Sequence, residues 1–393
     1  MHRIVLRLLA FLVILLMGMP ILQSSVIAQN TQANSTQATV PTMINGVVCH
    51  QLNAQQAQLL TSNGVDWVSA DISFGGYDES NWNTIYNLAQ TYHLKVLGIL
   101  DTWTMNFTTF TLPQWIAAVN QSVTQYGSGI SAWEIWNEPC FTQNYLGVFQ
   151  GLPSQYVELM STAYPIIKAA YPNAIVLGLG GLPLYTSIEG PSNNTTWVQY
   201  SLNFTQQVVA LGGMNYCDAI SLHAYPYGSL TNYVKQNWSQ SLSQYEAITG
   251  KDVWITETGQ ESVGEPTPWS NTKEQSNYMI ASYPLFRSLG VKAYFWYELQ
   301  DNNSFTDYTF GLYNVKGTAK PTLGTYFSLL LPTQTSSPSP NTTSSPTPEF
   351  PTFIAVAIVL IVAIAGILSY KKKRMSYSHH TELKTEKLDN LED

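Results

Sequence analysis

Two segments of this chain end an apolar run in a carboxylate. Trp133-Glu134-Ile135-Trp136-Asn137-Glu138-Pro139 closes with an amide, a carboxylate and a proline; Trp254-Ile255-Thr256-Glu257-Thr258-Gly259 closes with a carboxylate and a glycine. Two carboxyl groups held face to face suit cleavage of an acetal. One protonates the departing oxygen, and the other attacks the anomeric carbon or activates water, at a separation of about 5–5.5 Å if configuration is retained. The acid must be held protonated, by an apolar surround or by its charged partner. Trp133 and Trp136, near Glu138 in the sequence, can supply part of that surround.

Such a pair needs elements that bring residues far apart in sequence to one place. Short β-branched runs at 44–49, 65–74, 94–102, 130–137, 174–180, 217–225, 252–258 and 293–299 read as strands. Amphipathic stretches at 55–62, 82–92, 113–126, 155–170, 198–211, 231–248 and 273–289 lie between them, and a last one fits 320–331. Eight strand–helix units in one body predict an α/β fold, a (β/α)8 TIM barrel over 42–331. The alternative is an open doubly wound sheet. That fold usually shows a glycine-rich phosphate turn after its first strand, and Cys49-His50-Gln51 is no such turn.

In a barrel, function gathers where strands end. Polar residues do collect there: Asp71, Asp101 with Trp103, Asn137 with Glu138, His223 with Tyr225, Glu257, and Trp296 to Glu298. Glu134 lies inside a strand and is expected to be paired, since a lone buried charge is costly. No Cys-x-x-Cys or His/Cys cluster suggests a metal site, and neither cofactor nor metal is expected. Of three cysteines, Cys49 and Cys140 fall at the same end of the predicted barrel, which leaves a disulfide open; Cys217 reads as a buried thiol at the other end.

The ends of the 393-residue chain read as addresses. Residues 1–28 have Arg3 and Arg7, an apolar run and Val26-Ile27-Ala28, the pattern of a signal peptide. A polar spacer follows at 29–41. Residues 332–351 hold six Pro and ten Ser/Thr, a composition that extends as a stalk rather than burying a core. Residues 352–370 carry no charge, long enough for a transmembrane helix, and Lys371-Lys372-Lys373-Arg374 follows at once. Cations stay on the cytoplasmic side, so 371–393 is expected to be a cytoplasmic tail, with the barrel at the cell surface as part of a single-pass membrane protein. Nine Asn-x-Ser/Thr sequons accord with an exported glycoprotein. Residues 29–350 carry nine Lys/Arg against twenty Asp/Glu, which argues against nucleic acid and for a neutral substrate. Nothing in the sequence sets the oligomeric state.

These motifs, in this order, resemble the retaining (β/α)8 glycoside hydrolases of clan A, nearest to the cellulase-like families 5 and 39. The likeness covers 44–331 through Asn137-Glu138-Pro139, His223-Ala224-Tyr225-Pro226, Glu257, Tyr294-Phe295-Trp296-Tyr297-Glu298, and Gly311-Leu312-Tyr313 with Lys320-Pro321. It implies a glycosidase acting on a β-linked polysaccharide or glycan, with Glu138 as acid/base and Glu257 as nucleophile. It further implies that Asn137 bonds the sugar 2-hydroxyl, Tyr225 steadies Glu257, and His223 holds Tyr225, Glu138 or the sugar. Trp296 would stack on the ring; Asp101, Trp103, Glu298 and Asp301 would contact hydroxyls or neighbouring subsites. One position departs from the pattern: Ser69 stands where many relatives carry an arginine, and no arginine occurs between Arg7 and Arg287. A non-catalytic carbohydrate-binding surface protein and a wall-remodelling transglycosylase remain the alternatives.

Overall fold

The computed structural model describes residues 43–73, 78–101, 104, 111–140, 151–185, 196–226, 230–262, 272–301 and 309–331. The expected signal peptide, spacer, stalk, transmembrane helix, tail and Trp103 lie outside these residues. No helix among the described residues is long and apolar enough to cross a membrane.

Eight strands form a closed, wholly parallel barrel in sequential order. They are β1 (Ile44–Val48), β2 (Trp67–Asp71), β3 (Lys95–Leu100), β4 (Ile130–Ile135), β5 (Ile175–Pro183), β6 (Ala219–Ala224), β7 (Val253–Thr258) and β8 (Ala293–Trp296). Pairing of β1 with β8, Gly46 opposite Phe295, closes the ring and excludes the open sheet. The covering helices are α1 (Ala54–Ser62), α2 (Glu79–Thr91), α3 (Leu112–Tyr126), α4 (Pro153–Ala170), α5 (Trp197–Ala210), α6 (Asn232–Thr249), α7 (Thr272–Ser288) and α8 (Pro321–Leu330). Their starts are written locally. Asn53 and Gln56 form a reciprocal capping box on α1, and Thr196 and Thr231 cap α5 and α6 through their hydroxyls.

Alternation along the strands sorts the core into two parts. Side chains turned outward pack with the helices in one large apolar cluster. Those turned inward fill the barrel floor: Trp67, Leu97, Leu177, Trp254 and Phe295. Trp67 meets Trp254 edge-on at 5.6 Å, and Trp254 stacks on Phe295 at 6.3 Å. Lys95 lies over the Trp67 ring from below, its Nζ 5.5 Å from the centroid. The floor is thus a packed plug, and any reaction must occur above it.

Above the plug sits a polar layer of Ser69, Glu134, Ser221 and Thr256, all buried. Here one expectation fails. Among the described residues Glu134 forms no close ion pair; its Oε1 accepts from Thr256 at 3.0 Å, its Oε2 has no hydrogen-bond partner, and the charge of His223 acts on it from farther off. Burial pushes its carboxyl up, against the opposing pull of His223 and of the Ser221 and Thr256 hydroxyls. Ser69, at the position of the missing arginine, also leaves its hydroxyl unpartnered in this layer. Cys49, Cys140 and Cys217 are free and buried, so the disulfide left open by the sequence is not formed.

Candidate active site

Glu138 stands just past β4, in a backbone bent away from strand geometry. Trp136 and Glu138 both have positive φ, 71° and 45°, a region costly for residues with a Cβ. The bend is held from both sides: Trp136 N–H donates to Leu100 O at 2.8 Å, and Glu138 N–H donates to Gly180 O at 2.6 Å. Strand β5 makes the second bond available. Its register shifts between Gly178 and Leu182, and Leu179, Gly180 and Gly181 all turn to positive φ. Side chains cannot replace these glycines. A Cβ on Gly180 would lie 2.6 Å from Ile135 O, and one on Gly181 would lie 2.1 Å from the His223 ring.

Glu257 reaches the interior through a second irregularity. Trp254 and Thr256 face inward, so strict alternation would send Glu257 outward with Ile255. Between β6 and β7 the register skips a residue, pairing Leu222 with Ile255 but His223 with Glu257. That slip turns Glu257 toward the mouth, while Thr258 faces the helices and bonds Tyr278.

The two carboxylates meet at His223. Its Nδ1 lies 3.0 Å from Glu138 Oε1 and 3.5 Å from Glu257 Oε2. The nearest carboxylate oxygens are therefore separated by no more than the sum of those distances. That bound reaches only the lower edge of the ~6.5–9.5 Å spacing of inverting enzymes and includes the ~5–5.5 Å of retaining ones. Tyr225 donates to Glu257 Oε2 at 2.7 Å. Tyr185, just past β5, donates to Glu138 Oε1. His223 is fully enclosed, while Glu138 and Glu257 are 21% and 14% exposed, enough to meet a ligand.

Titration follows from burial against charge. Burial pushes the Glu257 carboxyl up and Glu138 adds to it; His223 and the Tyr225 hydroxyl pull back, leaving it raised to about 7. Burial pulls the His223 imidazole down, but Glu257, Glu138 and Glu134 outweigh it and raise it to about 9. His223 is thus a cation at neutral pH, shared by two carboxylates. Burial and the Glu257 charge push Tyr225 well above the usual phenol range, so it stays a donor.

The other expected residues divide. Asn137 is exposed at the mouth beside Glu138. Asp101 is buried at the end of β3. Trp296 cannot be the sugar platform: its ring is fully buried among the outward side chains, its Nε1 donates to Phe310 O at 3.1 Å, and it packs on Tyr278. Phe295 faces in, so by alternation Trp296 faces out and Tyr297 faces in. Tyr297 is half-buried, with its ring against Tyr225, Phe310 and His50. Glu298 does not reach the mouth either. Only 1% of it is exposed, its Oε2 lies 3.6 Å from His50 Nε2, and burial with Asp301 and Glu257 raises it to about 8. Asp301 is committed to the scaffold, pairing with Lys320 at 2.7 Å and accepting from Gly311 N–H at 2.7 Å.

The sequence reading passed over Tyr185, Tyr297, His50 and the Gly180-Gly181 bend. It ended the fifth strand at Gly180, which left Tyr185 in a loop. Ala293-Tyr294-Phe295-Trp296-Tyr297 is apolar throughout, so the sequence alone does not tell which of Trp296 and Tyr297 faces the interior. The signal for Gly180-Gly181 was present, since a glycine pair inside a strand marks a bulge.

Among the described residues no group of His, Cys, Asp and Glu is arranged to hold a metal ion. Residues 175–326, which include His223, Tyr225 and Glu257, match the family model described as the glycosyl hydrolase catalytic core. No curated protein matches the chain. Among solved structures, the chain is similar to a family 39 glycoside hydrolase from the gut symbiont Bacteroides cellulosilyticus WH2, with 19% identity and a TM-score of 0.51 over 73% of this chain. The match spans 63% of that protein, under two thirds of its length. It is also similar to fungal β-1,4-galactanases, with 15% identity and a TM-score of 0.54 over 71% of this chain and 93% of that one. A psychrophilic family 10 endo-β-1,4-xylanase gives 13% identity and a TM-score of 0.51 over 72% and 96%. At such identities the structures speak for the shared eight-stranded parallel barrel. With the family match, they agree with the resemblance to clan A glycoside hydrolases that the motifs carry.

Proposed function

We propose that the chain is a retaining glycosidase acting on a neutral, β-linked polysaccharide or glycan. The observation that carries this reading is His223 placed between Glu138 and Glu257, with a separate tyrosine donating to each carboxylate. Binding a sugar without chemistry needs no such matched pair.

In the first step a Glu257 oxygen attacks the anomeric carbon. The glycosidic C–O bond breaks, and its oxygen takes the proton from Glu138. In the second step Glu138, now a carboxylate, takes a proton from water; the hydroxyl attacks the same carbon and frees Glu257. Asn137 meets the sugar 2-hydroxyl, and Tyr297, in place of Trp296, offers the aromatic face. The cationic His223 replaces part of what an arginine at Ser69 would supply to the nucleophile. No cofactor enters either step.

The composition of the terminal segments supports a location for this chemistry outside the cell. Residues 1–28 direct export, 332–351 form the stalk, and 352–370 anchor the protein, with 371–393 inside.

The test uses the full-length protein. Glu257→Ala abolishes turnover, since no other group at that position attacks the anomeric carbon. Glu138→Ala spares glycosylation by substrates with activated leaving groups but stalls the second step, so a covalent glycosyl-enzyme accumulates. On unactivated substrates it loses about 10²–10⁴-fold. Intact-mass spectrometry with an activated aryl β-glycoside reads the adduct, which maps to Glu257. Full activity in both variants refutes the assignment.

A further inference from the structure

Glu138 is held by more than His223. The Tyr185 hydroxyl donates to Glu138 Oε1, the same oxygen that lies 3.0 Å from His223 Nδ1. Among the described residues both bonds fall on Oε1. Tyr185 is half-buried, and its ring meets Tyr225 edge-on at 5.8 Å. Tyr225 in turn donates to Glu257. Each carboxylate therefore has its own tyrosine, the two rings brace each other, and His223 lies between. Tyr185 owes its place to the bulge in β5. That irregularity prolongs the strand to Pro183; Leu184 then turns into the apolar cluster under the helices, and Tyr185 reaches the barrel mouth.

Resting on the glycosidase reading above, we infer that Tyr185 is a positioning residue for the acid/base: it keeps Glu138 Oε1 an acceptor, so that the proton passed to the leaving group, and later taken from water, travels through Oε2. An oxygen that already accepts from two donors is a poor place for the carboxylic proton. With the hydroxyl removed, Oε1 keeps one donor, and the proton divides between two oxygens, of which only one faces the glycosidic bond. The carboxylate left after the first step also loses a charge-assisted bond. No bond to carbon involves Tyr185, and no charge is transferred to it.

The experiment compares full-length wild type with Tyr185→Phe, which removes the hydroxyl and keeps the ring against Tyr225. The probes are two aryl β-glycosides of whichever neutral sugar the wild type cleaves: a 2,4-dinitrophenyl glycoside, which leaves without acid help, and a 4-methoxyphenyl glycoside, which needs it. Expected is a loss in kcat/KM of about 10–100-fold on the second substrate, the range of one lost hydrogen bond to a charged group. On the first, kcat/KM stays within about twofold, because acid help is not needed. There kcat and KM fall together, because the base-assisted second step becomes limiting. A merely structural tyrosine gives equal losses in kcat/KM on both substrates, and an idle one gives none; either result overturns the proposal. A wild type that cleaves no β-glycoside instead refutes the glycosidase reading, and the proposal falls with it.

Discussion

Replacing Tyr225 with phenylalanine tests the electrostatics of the site most directly. Its hydroxyl donates to Glu257 Oε2 at 2.7 Å, and Glu257 already titrates near 7 because it is buried beside Glu138. A donor favours the ionised carboxylate and so lowers its pKa; removing the donor raises it. A hydrogen bond to a charged group contributes about 1.5–3 kcal/mol. At about 1.4 kcal/mol per pH unit, that is a rise of roughly one to two units. Water entering beside the new ring replaces part of the bond and favours the lower figure. Since attack requires the ionised form, the acid limb of kcat/KM moves from near 7 toward about 8–9. At pH 6 the variant is therefore about 10–100-fold slower than wild type, and the gap narrows as the pH rises. The assay is kcat/KM against pH on an aryl β-glycoside whose leaving group needs no acid, so that Glu138 drops out. An acid limb at the same pH in both proteins refutes the reasoning. Either Tyr225 does not bond the ionised form, or Glu257 is not the group whose ionisation permits attack.

Two further outcomes follow from the placements. Trp296→Ala removes a fully buried ring and destabilises the fold by about 3–5 kcal/mol, whereas Tyr297→Ala raises KM with a smaller effect on Tm; thermal melts and substrate titrations on both variants separate the two roles. Stability should fall as pH rises from about 5 to 9, the reverse of ordinary acid denaturation. Glu257, Glu298 and His223 are raised to about 7, 8 and 9 from ordinary values of 4.5, 4.5 and 6.5. The folded state thus binds more protons than the unfolded chain across that window, and each group's stabilisation is lost as pH passes its folded value. A Tm by calorimetry that is flat or higher at pH 9 than at pH 5 contradicts these shifts.

Much of the molecule was legible in one dimension. Each strand and helix of the barrel begins and ends within a few residues of where the alternation of β-branched and amphipathic runs puts it. That pattern is local: period two or period 3.6 and the capping residues are properties of short segments. Glu138 and Glu257 stood out for the same reason, as carboxylates ending otherwise apolar strands. What a strand's residues face is not local. Glu257 enters the site only because β7 slips one residue against β6, and Trp296 leaves it because Phe295, one residue earlier, fills the barrel floor. Tyr185 reaches Glu138 only because β5 bulges where Gly180 and Gly181 clear the Ile135 carbonyl and the His223 ring. Glu134 stands inside the barrel without a close ion pair, its carboxyl raised by burial and its Oε1 held by the Thr256 hydroxyl. The sequence by itself determined the elements, their order and the chemical types at the strand ends. Register and parity were decided by closing eight strands into one ring, where each strand must satisfy both neighbours at once and a single slip reverses which side chains meet in the centre.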